Sequence, residues 1–232
     1  MIEVRRSDDR GAVDMGWLKA RHSFSFGDYY DPEHMGFGNL RVINEDRIEP
    51  AKGFGTHGHK DMEIVTYMID GALEHKDSMG NGSVIRTGEV QRMSAGTGVM
   101  HSEFNHSGDE RAHLLQIWIL PERSAISPGW EEKLFSKDDK HNRLRLIASR
   151  DARDGSLQIH QSLDLFATVL DEGKVLTHRL TDSHQGWVQV VSGRLDVNGT
   201  SLEEGDGAAI GNVNELQMSA VSNAEFLLFD MA

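Results

Sequence analysis

Residues 53–71 read GFGTHGHKDMEIVTYMIDG, with two histidines one residue apart followed by alternating apolar residues. Side chains on a β-strand alternate between faces, so residues i and i+2 project together. His57 and His59 are therefore expected to point the same way, and EIVTYMI to form a strand that ends at a glycine turn. The same punctuation recurs along the chain. NLRVIN, GSVIRTG, HLLQIWIL, RLRLIAS, WVQVVSG, RLDVNG and AEFLLFDM are short apolar and β-branched runs set between Gly, Asn, Asp and Ser clusters, and helical periodicity is weak almost everywhere. Such spacing predicts an all-β sandwich or barrel.

The 232 residues suffice for two β domains, each with its own core. Residues 121–142, PERSAISPGWEEKLFSKDDKHN, hold two prolines and a charge cluster with little apolar alternation. They are the best candidate for an inter-domain connection, giving domains of 1–135 and 136–232. A faint internal echo fits this division. YMIDGALEHKDSMGNGSVIRTGEV at 67–90 resembles QVVSGRLDVNGTSLEEGDGA at 189–208, with Gly71 answering Gly193 and Gly88 answering Gly205. The second copy has no H-x-H before it, so the histidine cluster is expected in the first half only.

Composition excludes several chemistries. The chain has no cysteine, which removes disulfides, thiolate nucleophiles, zinc ribbons and iron–sulfur clusters and suits a reducing cytoplasm. A formal net charge of −13, from 24 Lys plus Arg against 37 Asp plus Glu, opposes direct binding to nucleic acid or to an anionic membrane. The N-terminal MIEVRRSDDRG has no apolar core of an export signal, and the longest apolar runs are strand-sized, so neither an export signal nor a membrane span is expected.

A second pair lies at 101 and 103 in GEVQRMSAGTGVMHSEFN, where His101 and Glu103 share one strand face behind a turn through Gly96 and Gly98. Antiparallel pairing of the two segments would gather three imidazoles and a carboxylate. That donor set suits Fe(II), Mn, Co, Ni, Cu or Zn better than Ca or Mg and leaves positions open for water, dioxygen or a substrate oxygen. The nine other histidines, His75 and His160 among them, lack such partnership, and most are read as exposed or hydrogen-bonded.

H-x-H-x3-E-x7-G followed by G-x7-G-x-G-x2-H-x3-N resembles the two cupin motifs. GTHGHKDMEIVTYMIDGALEHKDSMGN, MSAGTGVMHSEFN and DARDGSLQIHQ at 151–161 resemble the pirin family more closely, with bacterial pirin-like quercetin 2,3-dioxygenases nearest. The resemblance implies a bicupin of two β-barrels, with a single metal ion, usually iron, in the first. It also implies His57, His59, His101 and Glu103 as ligands, where the general cupin pattern would use Glu63. Glu63 is then expected either to accept a hydrogen bond from a ligand imidazole or to be an ordinary strand-end charge. Gly58 stands where pirins commonly have proline, which would leave the H-x-H pair less constrained.

The implied activity is cleavage of a flavonol such as quercetin with O2 and release of carbon monoxide, Glu103 holding the ion and taking the substrate's hydroxyl proton. Phe26, Phe37, Met62, Phe104 and Trp118 are candidates for an apolar slot, and His113 and Gln116 for polar groups facing it. Two rivals stand beside this reading: a non-enzymatic, metal-binding regulatory partner protein responsive to redox state, and another cupin activity on the same ligands.

Overall fold

The structure is a computed structural model that describes residues 1–181 and 183–232, and nearly all of it is β. The α-helical exception among the described residues is one turn, Lys137–Lys140, closed by a capping box between Ser136 and Asp139. No helix among the described residues is long and apolar enough to cross a membrane.

The chain forms two compact units. The first, Gly11–Leu134 with Ile159–Gln161, contains a seven-stranded sheet in the order Gly129–Leu134, Glu89–Ser94, Glu63–Asp70, Ala112–Ile119, Leu40–Ile48, Leu18–His22, Gly11–Asp14. Facing it is a four-stranded sheet in the order Gly53–His59, Val99–Asn105, Ala72–Asp77, Gly82–Arg86. Alternation along these strands sends one set of side chains between the sheets, and residues of both sheets share one core. Leu18, Ile48, Met68 and Leu114 from the large sheet meet Leu73 and Ile85 from the small one.

The second unit repeats the plan. Its large sheet runs Ile2–Arg5, Gly207–Ile210, Gln185–Ser192, Ala224–Met231, Leu163–Leu170, Arg145–Ser149, Leu157–Gln158. Its small sheet runs Val175–Arg179, Glu215–Ala220, Arg194–Val197, Thr200–Glu203. Val188, Phe226 and Leu228 of the first close on Leu195, Leu202, Leu216 and Met218 of the second. The echo in the sequence is thus a shared strand order, and Gly71 and Gly193 mark the same corner, the turn by which the chain leaves a large-sheet strand for the small sheet.

The units differ at their edges from the expected spans 1–135 and 136–232. Met1–Arg10 group with the second unit because Ile2–Arg5 pairs with Gly207–Ile210, while Arg6 donates to Asp206 at 2.7 Å and Arg10 to the Gly205 carbonyl at 2.9 Å. Ile159–Gln161 group with the first because the His160 carbonyl accepts from Glu122 N and Gln161 donates to the Leu120 carbonyl, each at 2.8 Å. Both crossings are hydrogen bonds between residues far apart in sequence, which no local pattern reveals.

Gly71 and Gly193 both have positive φ, at 80° and 77°. A Cβ at Gly193 would lie 2.0 Å from the Asn223 carbonyl oxygen, and one at Gly71 would lie 2.7 Å from that of Arg111. Both substitutions to alanine are expected to cost more than the about 1–2 kcal/mol of the left-handed backbone, because a backbone oxygen must also move in each, and Gly193→Ala more than Gly71→Ala, because its oxygen lies closer. Urea midpoints of the two variants check the order.

Candidate metal centre

The small sheet of the first unit builds the centre. Gly53–His59 pairs antiparallel with Val99–Asn105, setting His59 opposite Val99 and His57 opposite His101. The register then slips, so that Glu103 stands opposite Phe54. This β-bulge inserts one residue between Phe54 and His57, which turns both toward the interior although they are three apart. Gly58 sits within the pairing opposite Met100 and outside the positive-φ region.

The three imidazoles converge. Their ring centroids are 4.4 Å apart for His57 and His101, and 4.8 Å for His57 with His59 and for His59 with His101. One ring nitrogen from each lies within 4.8 Å of the others. His57 Nδ1 donates to the Gly55 carbonyl at 2.8 Å, which turns its Nε2 lone pair inward, and that atom lies 3.0 Å from His101 Nε2. Two nitrogens bound about 2.1 Å from one ion at a right angle are about 3.0 Å apart, so this edge has the length a transition-metal ion requires. The donor set fits such an ion: the histidine cluster can hold a metal.

Electrostatics keeps the donors free. Burial, together with the charge of His57, pushes His59 down to about 4. Burial followed by the charges of His57, His59 and His75 pushes His101 down to about 3. A neutral imidazole is the form that binds metal. Glu103, 4 % exposed, is pushed up to about 7 by burial, which outweighs the Gln116 hydrogen bonds acting the other way. Gln116 Nε2 donates to both Glu103 oxygens at 3.2 and 3.0 Å, and Thr66 Oγ1 donates to Gln116 Oε1 at 3.0 Å. The hydroxyl thereby holds the amide with its NH2 toward the carboxylate.

A cavity of about 420 Å3 opens over these groups. Trp17, Phe26, Phe54 and Trp118 supply aromatic walls, and His57, His59, Glu103 and Gln116 the polar part. Trp118 stands edge-on to His59 at 4.8 Å and Phe26 edge-on to Trp118 at 5.2 Å.

Of the sequence candidates, Phe26, Trp118 and Gln116 are at the cavity. Met62 instead packs into a cluster of Ile64, Met93 and Val99. Phe104 is 40 % exposed on the opposite face of its strand from His101 and Glu103, and Phe37 pairs with Leu40 outside the lining. His113 Nε2 is spent on Glu45 at 2.9 Å rather than facing the cavity. Glu63 is neither of the alternatives expected for it: it is fully buried, begins a strand of the opposite sheet, accepts from Ser94 Oγ at 2.8 Å and meets His160 Nδ1 at 3.2 Å. These hydrogen bonds go to Ser94 and His160 rather than to the three imidazoles because the chain has crossed between sheets after His59. Trp17, Phe54, His75 and His160 were missed. The H-x-D spacing of His75 and Asp77, matching that of His101 and Glu103, was the signal available for one of them.

An all-β chain of two such units, one carrying a histidine cluster under an aromatic cavity, is a bicupin. The pirin family model matches residues 3–119, and that of the quercetinase C-terminal cupin domain matches residues 146–231. The chain is 47% identical over 231 residues to the quercetin 2,3-dioxygenase of Escherichia coli K12, covering 100% of this chain and 99% of that one. It is 40% identical over 233 residues to a pirin-like protein of Caulobacter vibrioides, covering 100% of both. The crystal structure of the bacterial pirin YhhW from Escherichia coli in complex with nickel(II) superposes with a TM-score of 0.96 at 46% identity, covering 100% and 99%. The chain belongs to the pirin family.

Glu103 generates a pH prediction for the metal-free protein. Its folded-state value lies above the ordinary one of 4.5, so it favours folding at low pH, and that contribution is lost as pH rises through about 7. Glu103→Gln is expected to gain on the wild type between about pH 5 and about pH 8, by up to about 3 kcal/mol. Urea midpoints of the two metal-free proteins across this range check it.

Proposed function

We propose that the protein is a metal-dependent dioxygenase of quercetin 2,3-dioxygenase type, opening a flavonol with O2 and releasing carbon monoxide. The observation that carries this reading is the convergence of three imidazoles at an aromatic-walled cavity that the buried Glu103 also lines. Relatives that bear the activity in their names match the whole chain, which supports it.

In this reading His57, His59, His101 and Glu103 hold one divalent ion in the first unit, Fe(II) foremost, with Mn, Co, Ni, Cu and Zn compatible with the same nitrogen and oxygen donors. When bound, the ion supplies Lewis acidity toward a substrate oxygen and a route for electrons to dioxygen. Every further role falls to side chains. Trp17, Phe26, Phe54 and Trp118 accept the flat aromatic rings and exclude water from between them, and the cavity's volume lies within the range of small-molecule sites. Glu103 Oε, in the cavity lining beside the imidazoles, takes the proton of the flavonol 3-hydroxyl. Gln116 orients that carboxylate, and Thr66 orients Gln116. Chain composition favours the cytoplasm, where no disulfide is called for.

Protein loaded separately with Fe(II), Mn(II), Co(II), Ni(II) or Cu(II) is expected to consume O2 with quercetin in equal amounts and to release carbon monoxide. Glu103→Gln should lower turnover by about 10²-fold or more, as the loss of a general base does. An oxygen electrode with carbon monoxide detection measures both. Absence of uptake with every metal, while the metal still binds, would leave a binding protein and overturn the enzymatic reading.

A further inference from the structure

In the first unit, Nδ1 of His75 and Nδ1 of His101 are buried and have no hydrogen-bond partner. The residues are 0 % and 2 % exposed, and buried polar atoms are seldom left unpaired. The two rings lie together. Ala72–Asp77 pairs antiparallel with Val99–Asn105, setting His75 opposite Glu103 and Asp77 opposite His101, and residues directly opposite share a face. The two rings are 5.3 Å apart at 57°, and one donor atom from each of His75, His101 and Glu103 lies within 4.8 Å of the others.

Their protonation is complementary. The Asp77 carboxylate accepts from the backbone N–H groups of Met79 and Asn81, at 2.9 and 3.0 Å, and from Asn81 Nδ2 at 2.9 Å. Three obligate donors hold it as an ionised acceptor, so His75 Nε2, 3.2 Å away, is the N–H of its ring. A neutral ring protonated at Nε2 has its lone pair at Nδ1. His101 is the converse: with Nε2 given to the ion, its hydrogen is at Nδ1. One orphan is a donor and the other an acceptor.

We propose that His75, oriented by Asp77, accepts a hydrogen bond from His101 Nδ1–H, directly or through one water, and so sets the tautomer, orientation and basicity of the third imidazole. The inference rests on reading His101 as a metal ligand. His75 is a positioning residue here, acting through His101. Histidine ligands ordinarily give their second N–H to a fixed acceptor; His57 gives its own to the Gly55 carbonyl, and His75 supplies the corresponding acceptor for His101. The relay Asp77–His75–His101 joins the turn at Asp77–Asn81 to the centre.

The test is Ni(II) titration calorimetry on the full chain, with histidine 15N NMR of the Zn(II)-loaded protein. Wild type should show a slowly exchanging low-field proton on His101 Nδ1. Asp77→Asn is nearly isosteric and keeps an oxygen for the turn, but its amide NH2 can reverse the His75 tautomer and set donor against donor. It should weaken Ni(II) binding about 10- to 100-fold, as loss of an outer hydrogen-bond partner does, and shift that proton. His75→Phe should do the same, while His75→Asn, whose amide oxygen falls near the former Nδ1, should recover most of the affinity. Unchanged affinity and an unchanged His101 proton in a His75→Phe protein with wild-type circular dichroism would overturn the inference alone. A wild type that takes up no Ni(II) would sink the metal reading and this inference with it.

Discussion

Everything chemical in this molecule hangs on the antiparallel pairing of Gly53–His59 with Val99–Asn105, and on the one-residue slip within it. Pairing sets His57 beside His101; the slip brings Phe54 onto the same interior face opposite Glu103. Without the bulge, strand alternation would send Phe54 outward, and the cavity would lose the wall that meets Trp17 at 5.3 Å. The same pairing partner, Val99–Asn105, has Ala72–Asp77 on its other side, so one strand carries ligand candidates forward and is braced from behind.

Burial then does the electrostatic work. His59 and His101 crowd against His57 in a partly dry site, where a positive charge on either would be costly, so these two stay neutral with lone pairs available. The carboxylate beside them is raised by the same desolvation. A divalent ion reverses both costs at once: it needs lone pairs from the nitrogens and a negative charge from the oxygen. The donor cluster of the metal-free chain is therefore frustrated in a way that a cation relieves.

The second unit shows how little of this belongs to the scaffold. Its strand order is that of the first, yet where the first unit's small sheet sets His57 opposite His101, the second unit's sets Leu176 opposite Met218 and His178 opposite Leu216. His178 is spent on Asp230 at 2.8 Å, and His184 on the same carboxylate at 2.6 Å. Both groups of close donor side chains found among the described residues lie in the first unit. The duplicated fold supplies the sheets; the side chains on their facing strands decide what a unit can hold.

Strand periodicity, glycine corners and the i, i+2 spacing of His57 with His59 and of His101 with Glu103 are local properties, and the sequence by itself determined the all-β class and the internal duplication and brought forward His57, His59, His101, Glu63 and Glu103 as candidate ligands. Resemblance to pirins was needed to prefer Glu103 over Glu63, since spacing is the same kind of evidence for both. Tertiary structure alone decided that Glu63 joins Ser94 and His160 in the opposite sheet, and that Met62 and Phe104 turn away while Trp17 and Phe54 wall the cavity. It alone brought His75 behind His101 and carried the first ten residues into the second unit. The reason is common to all of these: they depend on register, bulges and crossings between sheets, which are set by hydrogen bonds between residues distant in the chain and leave no periodic trace in it.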